Sequence, residues 1–493
     1  MEQRLDCEGL WVGRGEQLLR HVSLRIGDGR VLELAPSSGA RAVGFVMPAF
    51  VDAHWHLFWA GFEASSLMLD RAGSADELLA LVGRAASTGD GLLRGEKFDE
   101  SEWPVARLPT LRELDAAVGA RPVFLRRICG HKALASSALL RLLPEPVAAQ
   151  ARATGLLEEQ PVLDFDRLFP RSDEESLAAM HQAAALALSH GVTGVCTMEP
   201  LRNLRLLADH RCAIDTTCAV FAEDLAELEA WLGERPGPAP PELFGLKLFL
   251  DGGIGAGTAA LECGFGDGAH GRLLYDDALL EQRLRQAVRL GLVPVVHAIG
   301  AAALRQLDRL SSRLLGELPA ARRLGVRIEH AEELLPAWPG SWDPACHRFS
   351  MQPNFVRKWQ QPGGLYEQRL PTEAARQLNP FACVRAGGFA LGFGSDGMPF
   401  GPLWGVAGAI HHPVARLALG RAAALEAYTL GAAELAGLRE LAAPVAAGRR
   451  ADLLVLSHDP LGDTPLDELR ILGVLRRGRV VWGDAELLRP AAG

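Results

Sequence analysis

Two hydrophobic rhythms divide the chain. Through its middle, short apolar runs alternate with longer segments rich in Ala, Leu and Arg: FVMPAFVDAH, GVTGVCTM, CAIDTTCAVF, FGLKLFL, LVPVVHAI, VRIEHA, RFSMQPNF and FALGFGSD. A strand that is apolar on both faces is buried on both, as in a parallel sheet covered by helices. Eight such β/α units are the number that closes a barrel, so the expected fold class is α/β, a (β/α)8 TIM-like barrel. One connecting helix is well marked. SDEESLAAMHQAAALALSHG opens on Ser172 with Glu175 three residues on, a capping box, and stops at Gly191. His181 and His190 on it read as surface or capping residues.

The ends follow the other rhythm. LLRHVSLRIGDGRVLEL near the start, and ADLLVLSHDP and ILGVLRRGRVVWG near the finish, are short β-rich runs broken by Gly-Asp and Arg-Gly turns. Neither end holds enough strands to be stable alone, so residues 1–45 and 446–493 are expected to form one small β domain together. The barrel then takes 46–59 and 181–445. Between these two pieces, 60–180 breaks the alternation and carries its own helices and an additional strand, RPVFLRRICGH. A structureless loop of that length does not fit a compact protein, so an α+β insert after the first barrel strand is expected on the rim, placed as a lid.

Composition narrows the partners. With 48% hydrophobic and 23% charged residues the chain reads as globular, and its net charge of -9 argues against nucleic acid or an anionic membrane. A small-molecule substrate is expected. The longest apolar stretch, Leu290 to Leu304, contains Pro294 and His297 and falls short of the roughly 20 residues needed to span a bilayer. MEQRLDCEGL carries no secretory pattern, which points to the cytoplasm. Eight cysteines without a CxxC pair read as reduced thiols, Cys196 among them as a core residue. A homodimer is compatible with this picture, dimers being the commonest closed assembly.

The chemistry lies at the strand ends. In an extended FVDAHWHL, side chains alternate, so Asp52, His54 and His56 share a face. Lys247 lies in the fourth run; His297, His330 and Asp396 end the fifth, sixth and eighth. Barrel strand ends converge on one mouth, so these six residues are candidate metal ligands. Lys247, flanked by Leu246, Leu248 and Phe249, is favoured to lose its charge. A neutral amine adds carbon dioxide, and the resulting carbamate could bridge two divalent cations. Asp251 and Gly252 after the lysine strand, and Trp55, Phe58 and Trp59 after the first, lie close enough to shape a pocket, although Trp55 faces away from the histidines.

These stretches resemble the amidohydrolase superfamily and, within it, the YtcJ-like branch, amidohydrolase family 3. The resemblance spans nearly the whole chain through MPAFVDAHWHL, GLKLFLDGGIGAGTAAL, VHAIGAAAL, RIEHAE, FGSDGMP, EAYTLGAAELAGL, GRRADLLVLSHDP and, in the insert, LRELDAAVGARPVFLRRICGHKALASSAL. It implies a urease-like β-sandwich from the two termini, a divalent metal site, usually zinc, and cleavage of a C–N bond other than a peptide bond. His54, His56 and Asp396 would hold one cation and His297 and His330 the other, bridged by N6-carboxylated Lys247 and water. A metal-activated hydroxide would attack, with Asp396 as general base and then acid. His131 would touch substrate, as a family histidine stands there, with Asp251 and Trp55 as further substrate contacts. The chain departs from the family pattern at Ala301, where an aspartate is common. Three alternatives stand beside this reading: a phosphotriesterase- or lactonase-like hydrolase on the same site, a mononuclear deaminase, and a non-catalytic scaffold. The deaminase lacks its acid in HAIGAAAL, and the scaffold would have lost ligands that are all present here.

Overall fold

The computed structural model describes residues 2–37, 42–63, 66–338, 340–397 and 399–490. Each of the eight apolar runs contains a strand: β1 (Phe50–Trp55), β2 (Val192–Glu199), β3 (Asp215–Phe221), β4 (Leu243–Phe249), β5 (Val293–Ala298), β6 (Val326–His330), β7 (His347–Met351) and β8 (Ala390–Phe393). They pair in parallel in chain order. β8 returns to β1 through a parallel bridge between Trp55 and Asp396 and a 2.7 Å bond from the Asp396 N–H to the His54 carbonyl. The ring is thus a closed (β/α)8 barrel. Every residue of β1, β2 and β6 is buried, as continuous apolar runs require.

Helices cover the outside. The helix Asp173–Ser189 has the capping box read from Ser172 and Glu175, and the chain leaves it through Gly191 at φ +77°. A short helix after β1, Leu57–Glu63, packs closely on it. The first turn of that short helix is held by β2: its Leu57 N–H donates to Thr197 Oγ1 at 2.9 Å and its Phe58 N–H to Glu199 Oε1 at 3.1 Å.

The two chain ends build one sheet in the order Arg479–Gly483, Ile471–Arg476, Leu453–Leu456, Phe45–Pro48, Gln3–Trp11, Leu18–Gly27 and Arg30–Pro36. Phe45–Pro48, which runs straight on into β1, is sandwiched between an N-terminal and a C-terminal strand. Val31 and Leu475, from opposite ends of this order, pack in one apolar cluster, so the sheet folds over on itself.

The insert differs from expectation. Where the sequence suggested one additional strand, the described residues form five, ordered Leu156–Glu158, Lys132–Ala135, Val123–Arg127, Leu93–Phe98 and Leu67–Met68. RPVFLRRICGH is broken because Gly130, at φ +75°, turns the chain back on itself into the next strand. Apolar clusters on both faces of the sheet pack it against its own helices. Among the described residues, no helix is long and apolar enough to cross a membrane.

Candidate metal centre

β1 and β6 build the core of the site together. In β6, Arg327 and Glu329 point into the barrel, where the guanidinium donates to Glu329 at 2.5 Å, to the Ala53 carbonyl at 2.7 Å and to the Leu435 carbonyl at 3.0 Å. Glu329 then accepts a short hydrogen bond from His54 Nδ1. An ionised carboxylate only accepts, so the proton of His54 lies on Nδ1 and the Nε2 lone pair faces Asp396 Oδ1, 3.9 Å away. His56 is oriented in the same sense. Its Nδ1 donates to the Met198 carbonyl at 3.2 Å, and its Nε2 is 3.0 Å from Asp396 Oδ1.

His330 Nδ1 lies 3.9 Å from the other Asp396 oxygen and has no hydrogen-bond partner among the described residues. The His297 ring stands 4.4 Å from that of His330, and its Nε2 donates to the Gly252 carbonyl at 3.3 Å. Lys247 Nζ is buried, without a hydrogen-bond partner among the described residues, and 5.0 Å over the Phe249 ring. All six candidates line one cavity of about 140 Å³. Two of them, His330 at φ +70° and Asp396 at φ +56°, hold left-handed backbone conformations, strain of the kind that collects at functional sites.

The charges suit ligation. Burial, aided by nearby Lys247, pushes His54 down to about 4, and burial drives His297 and His330 well below the usual imidazole value. All three are therefore neutral at pH 7, the form that binds metal. Burial opposes ionisation of Asp396, but His54, His56 and His330 hold its carboxyl well below the usual range. Burial brings Lys247 down to about 8, which leaves an appreciable neutral fraction. The donor set fits a divalent cation: ligand atoms of His54, His330 and Asp396 lie within 4.8 Å of one another, and His330 Nδ1 and the neighbouring Lys247 Nζ are buried without hydrogen-bond partners among the described residues.

The other expected contacts divide. His131 does line the cavity, its ring 5.5 Å from that of His297. Burial would depress its pKa, yet the Glu159 carboxylate at 2.9 Å lifts it to about 9. Asp251 is not a substrate contact. It is fully buried and accepts the N–H groups of Ala260, Ile299 and Gly300 at 2.8–3.0 Å, tying the loop after β4 to the start of the helix after β5. Trp55 is not one either: it stacks on Phe400 at 4.2 Å in the packing between barrel and helices. Alternation along β1 sends it outward, and Trp59, on the helix that follows, takes the place beside His56 at 5.7 Å.

Four acids went unread in the sequence. Besides Glu329, Asp52 binds the N–H groups of His54 and Ser395 and so clasps β1 to β8, Glu199 caps the helix after β1, and Glu159 charges His131. RIEHA held a signal for the first, since an Arg and a Glu two apart in an otherwise apolar strand must face each other inside the barrel.

Residues 44–482 match the profile of the amidohydrolase family. The chain belongs to that family. Among its members, it is 26% identical to a protein named putative amidohydrolase YtcJ of Bacillus subtilis (strain 168), over 89% of each chain. It is 24% identical to the N-substituted formamide deformylase of Arthrobacter pascens, over 87% of this chain and 86% of that protein. In structure it resembles an uncharacterized metal-dependent hydrolase of Pyrococcus horikoshii OT3, with a TM-score of 0.75, 25% identity, and coverage of 95% of this chain and 99% of the other. Amidohydrolase membership and metal-dependent neighbours agree with the cluster at the barrel mouth.

Proposed function

We propose that the protein is a metal-dependent hydrolase that cleaves the C–N bond of a small-molecule amide other than a peptide bond. The observation that carries this reading is the meeting of His54, His56, Lys247, His297, His330 and Asp396 in one cavity, with the nitrogens of Lys247 and His330 buried and unpartnered. His54, His56 and Asp396 would hold one cation and His297 and His330 a second, with zinc favoured by the imidazole-rich set. Lys247, neutral in part, would add carbon dioxide with loss of a proton to give a carbamate shared by both. Bound cations would supply Lewis acidity, lowering the pKa of water towards about 7 and drawing charge from a substrate carbonyl.

The chain's own groups have separable tasks. Glu329 holds the tautomer of His54, and the Met198 carbonyl that of His56. Asp396 Oδ1 faces the His56 Nε2 lone pair at 3.0 Å, an approach a shared cation would bridge, and accepts from the Gly397 N–H at 2.8 Å. Oδ2 is the oxygen that takes the proton of the attacking water and passes it to the leaving nitrogen. His131, kept cationic by Glu159, would donate to the substrate carbonyl. The name of the Arthrobacter pascens relative, a formamide deformylase, supports an amide over an ester.

The test is metal analysis of the purified protein coupled to a hydrolysis screen over amides, carbamates and esters, before and after chelation. Amide turnover lost with the metal and restored by zinc is expected. A metal-free protein with unchanged turnover, or one that cleaves esters alone, overturns the reading. Asp396→Asn should keep the fold and lose about 10²–10⁴-fold in kcat; an Asn variant of full activity would remove Asp396 from its role.

A further inference from the structure

Two chambers meet at the metal centre. The larger is the 140 Å³ cavity that contains all six candidate ligands, with Trp59, Phe221 and Phe249 in its walls. The smaller, about 40 Å³, opens from the same His131, His297, His330 and Asp396, but its far side is Ile254, Ile299, Phe355 and Trp359. These four belong to one buried apolar cluster, and Phe355 lies parallel to the His330 ring at 5.9 Å. The small chamber therefore begins directly behind a metal-site histidine. Its one added acid, Glu332, is engaged by the Tyr366 hydroxyl and by Asn379.

The chambers differ in size and charge. At roughly 25 Å³ for each non-hydrogen atom, the packing at which a cavity of about 150 Å³ holds benzene, the smaller has room for about two non-hydrogen atoms and the larger for about six. An ion at the apolar far side of the smaller would lose its hydration, and two charged groups of its lining, His131 and Glu332, are already engaged by Glu159 and by the Tyr366 hydroxyl. Apart from the candidate ligands, the larger is lined by Asp164, Asp166, Glu199, Glu223 and Asp224 against Arg126, Arg167 and the His131 that Glu159 keeps cationic; Arg126 pairs with Asp166 and Arg167 with Asp164, so the surplus negative charge lies with Glu199, Glu223 and Asp224. An amine product, cationic at neutral pH, suits that wall; a carboxylate does not.

We propose that the substrate straddles the metal centre, with a compact, uncharged acyl substituent of at most about two non-hydrogen atoms in the small chamber and a ring-sized, uncharged or cationic amine portion in the large one. This rests on the amide-hydrolase reading above and makes simple N-acyl amines, rather than N-acyl amino acids, the substrate class. Ile254 and Trp359 then set the acyl limit, and Phe221 contacts the amine side.

The metal-loaded protein is assayed on the N-benzyl amides of formic, acetic, isobutyric and benzoic acids, and on acetamides of methylamine, butylamine and benzylamine. Expected is a kcat/KM that stays within a few-fold from formyl to acetyl, falls at least tenfold from acetyl through isobutyryl to benzoyl, and rises with amine size. Ile254→Phe should lower the acetyl-to-formyl ratio of kcat/KM at least tenfold, and Trp359→Ala should raise the benzoyl rate relative to acetyl. A benzoyl amide handled as well as an acetyl one by the unaltered protein, or a size limit that falls on the amine series instead, overturns the proposal. Calorimetry with benzylamine alone reads the large chamber without turnover: binding weakened by Phe221→Ala and kept in Ile254→Phe is expected, and the reverse pattern also overturns the assignment. Failure to cleave any amide, with that binding pattern intact, would sink the hydrolase reading and not the chamber assignment.

Discussion

Glu329 shows how much of the site depends on a residue that touches no substrate. It sits between Arg327 and His54, fully buried, and although burial favours its protonation, those two neighbours hold it well below the usual carboxylate range. Its negative charge therefore does two things: it fixes the His54 proton on Nδ1, and it neutralises a buried guanidinium. Glu329→Gln keeps the shape and loses the charge, and partners of this kind commonly contribute 10–100-fold to metal affinity. A loss of that size is expected when zinc is titrated against a chelator of known affinity; unchanged affinity would separate Glu329 from the centre. The candidate ligands themselves were legible because strand-end histidines stand out in apolar runs. Glu329, Asp52 and Glu199 were not, because a buried acid is recognised by its partner, and the partners lie on other strands.

The His131–Glu159 pair gives a prediction of opposite sign to most buried carboxylates. Folding raises the His131 pKa from 6.5 to about 9, so its contribution to stability is complete below the unfolded value and fades as pH climbs from 6.5 through about 9. Melting temperatures of the native chain and of Glu159→Gln should therefore differ most near the lower end of that window and converge above it. A difference that grows with pH would show that His131 is not the protonated partner.

At the level of elements, legibility followed burial. The barrel strands were readable because both faces are apolar. The insert was not: two of its five strands, Leu67–Met68 and Leu156–Glu158, are too short to leave a period, and its central hairpin hides in one apolar run turned at Gly130. The helix Leu57–Glu63 was equally invisible, yet it carries Trp59 into the cavity. Its seat depends on Gly61, where a Cβ would come 1.9 Å from the Ala179 carbonyl oxygen of the helix Asp173–Ser189. That neighbour is backbone, so the helices must separate. Gly61→Ala is expected to cost about 1–3 kcal/mol in denaturant unfolding, as overpacking does, and to raise KM by displacing Trp59. A variant of native stability would mean that the two helices slide apart freely.

For the whole molecule, the decisive fact is how far apart in sequence the joined parts lie. Phe45–Pro48 is held between strands from the two chain ends and delivers the chain directly into β1, which brings His54 and His56 to groups from β4, β5, β6 and the end of β8. Cations shared among those groups would cross-link strands on opposite sides of the barrel, and they would do so only in the folded state, since the unfolded chain scatters the ligands over some three hundred and forty residues. Metal binding then becomes stability by mass action, about 2.7 kcal/mol when free metal stands at a hundredfold excess over its Kd. A carbamate on Lys247 would strengthen this coupling, because it would turn the buried Lys247 nitrogen into an anionic ligand and remove a buried cation from among neutral imidazoles. Chelated protein should accordingly melt at a lower temperature than protein resupplied with zinc, with bicarbonate enlarging the recovery and Lys247→Ala abolishing that bicarbonate effect. A melting temperature indifferent to zinc, in a protein whose six candidate ligands are intact, would show that these groups gather for a reason other than holding metal.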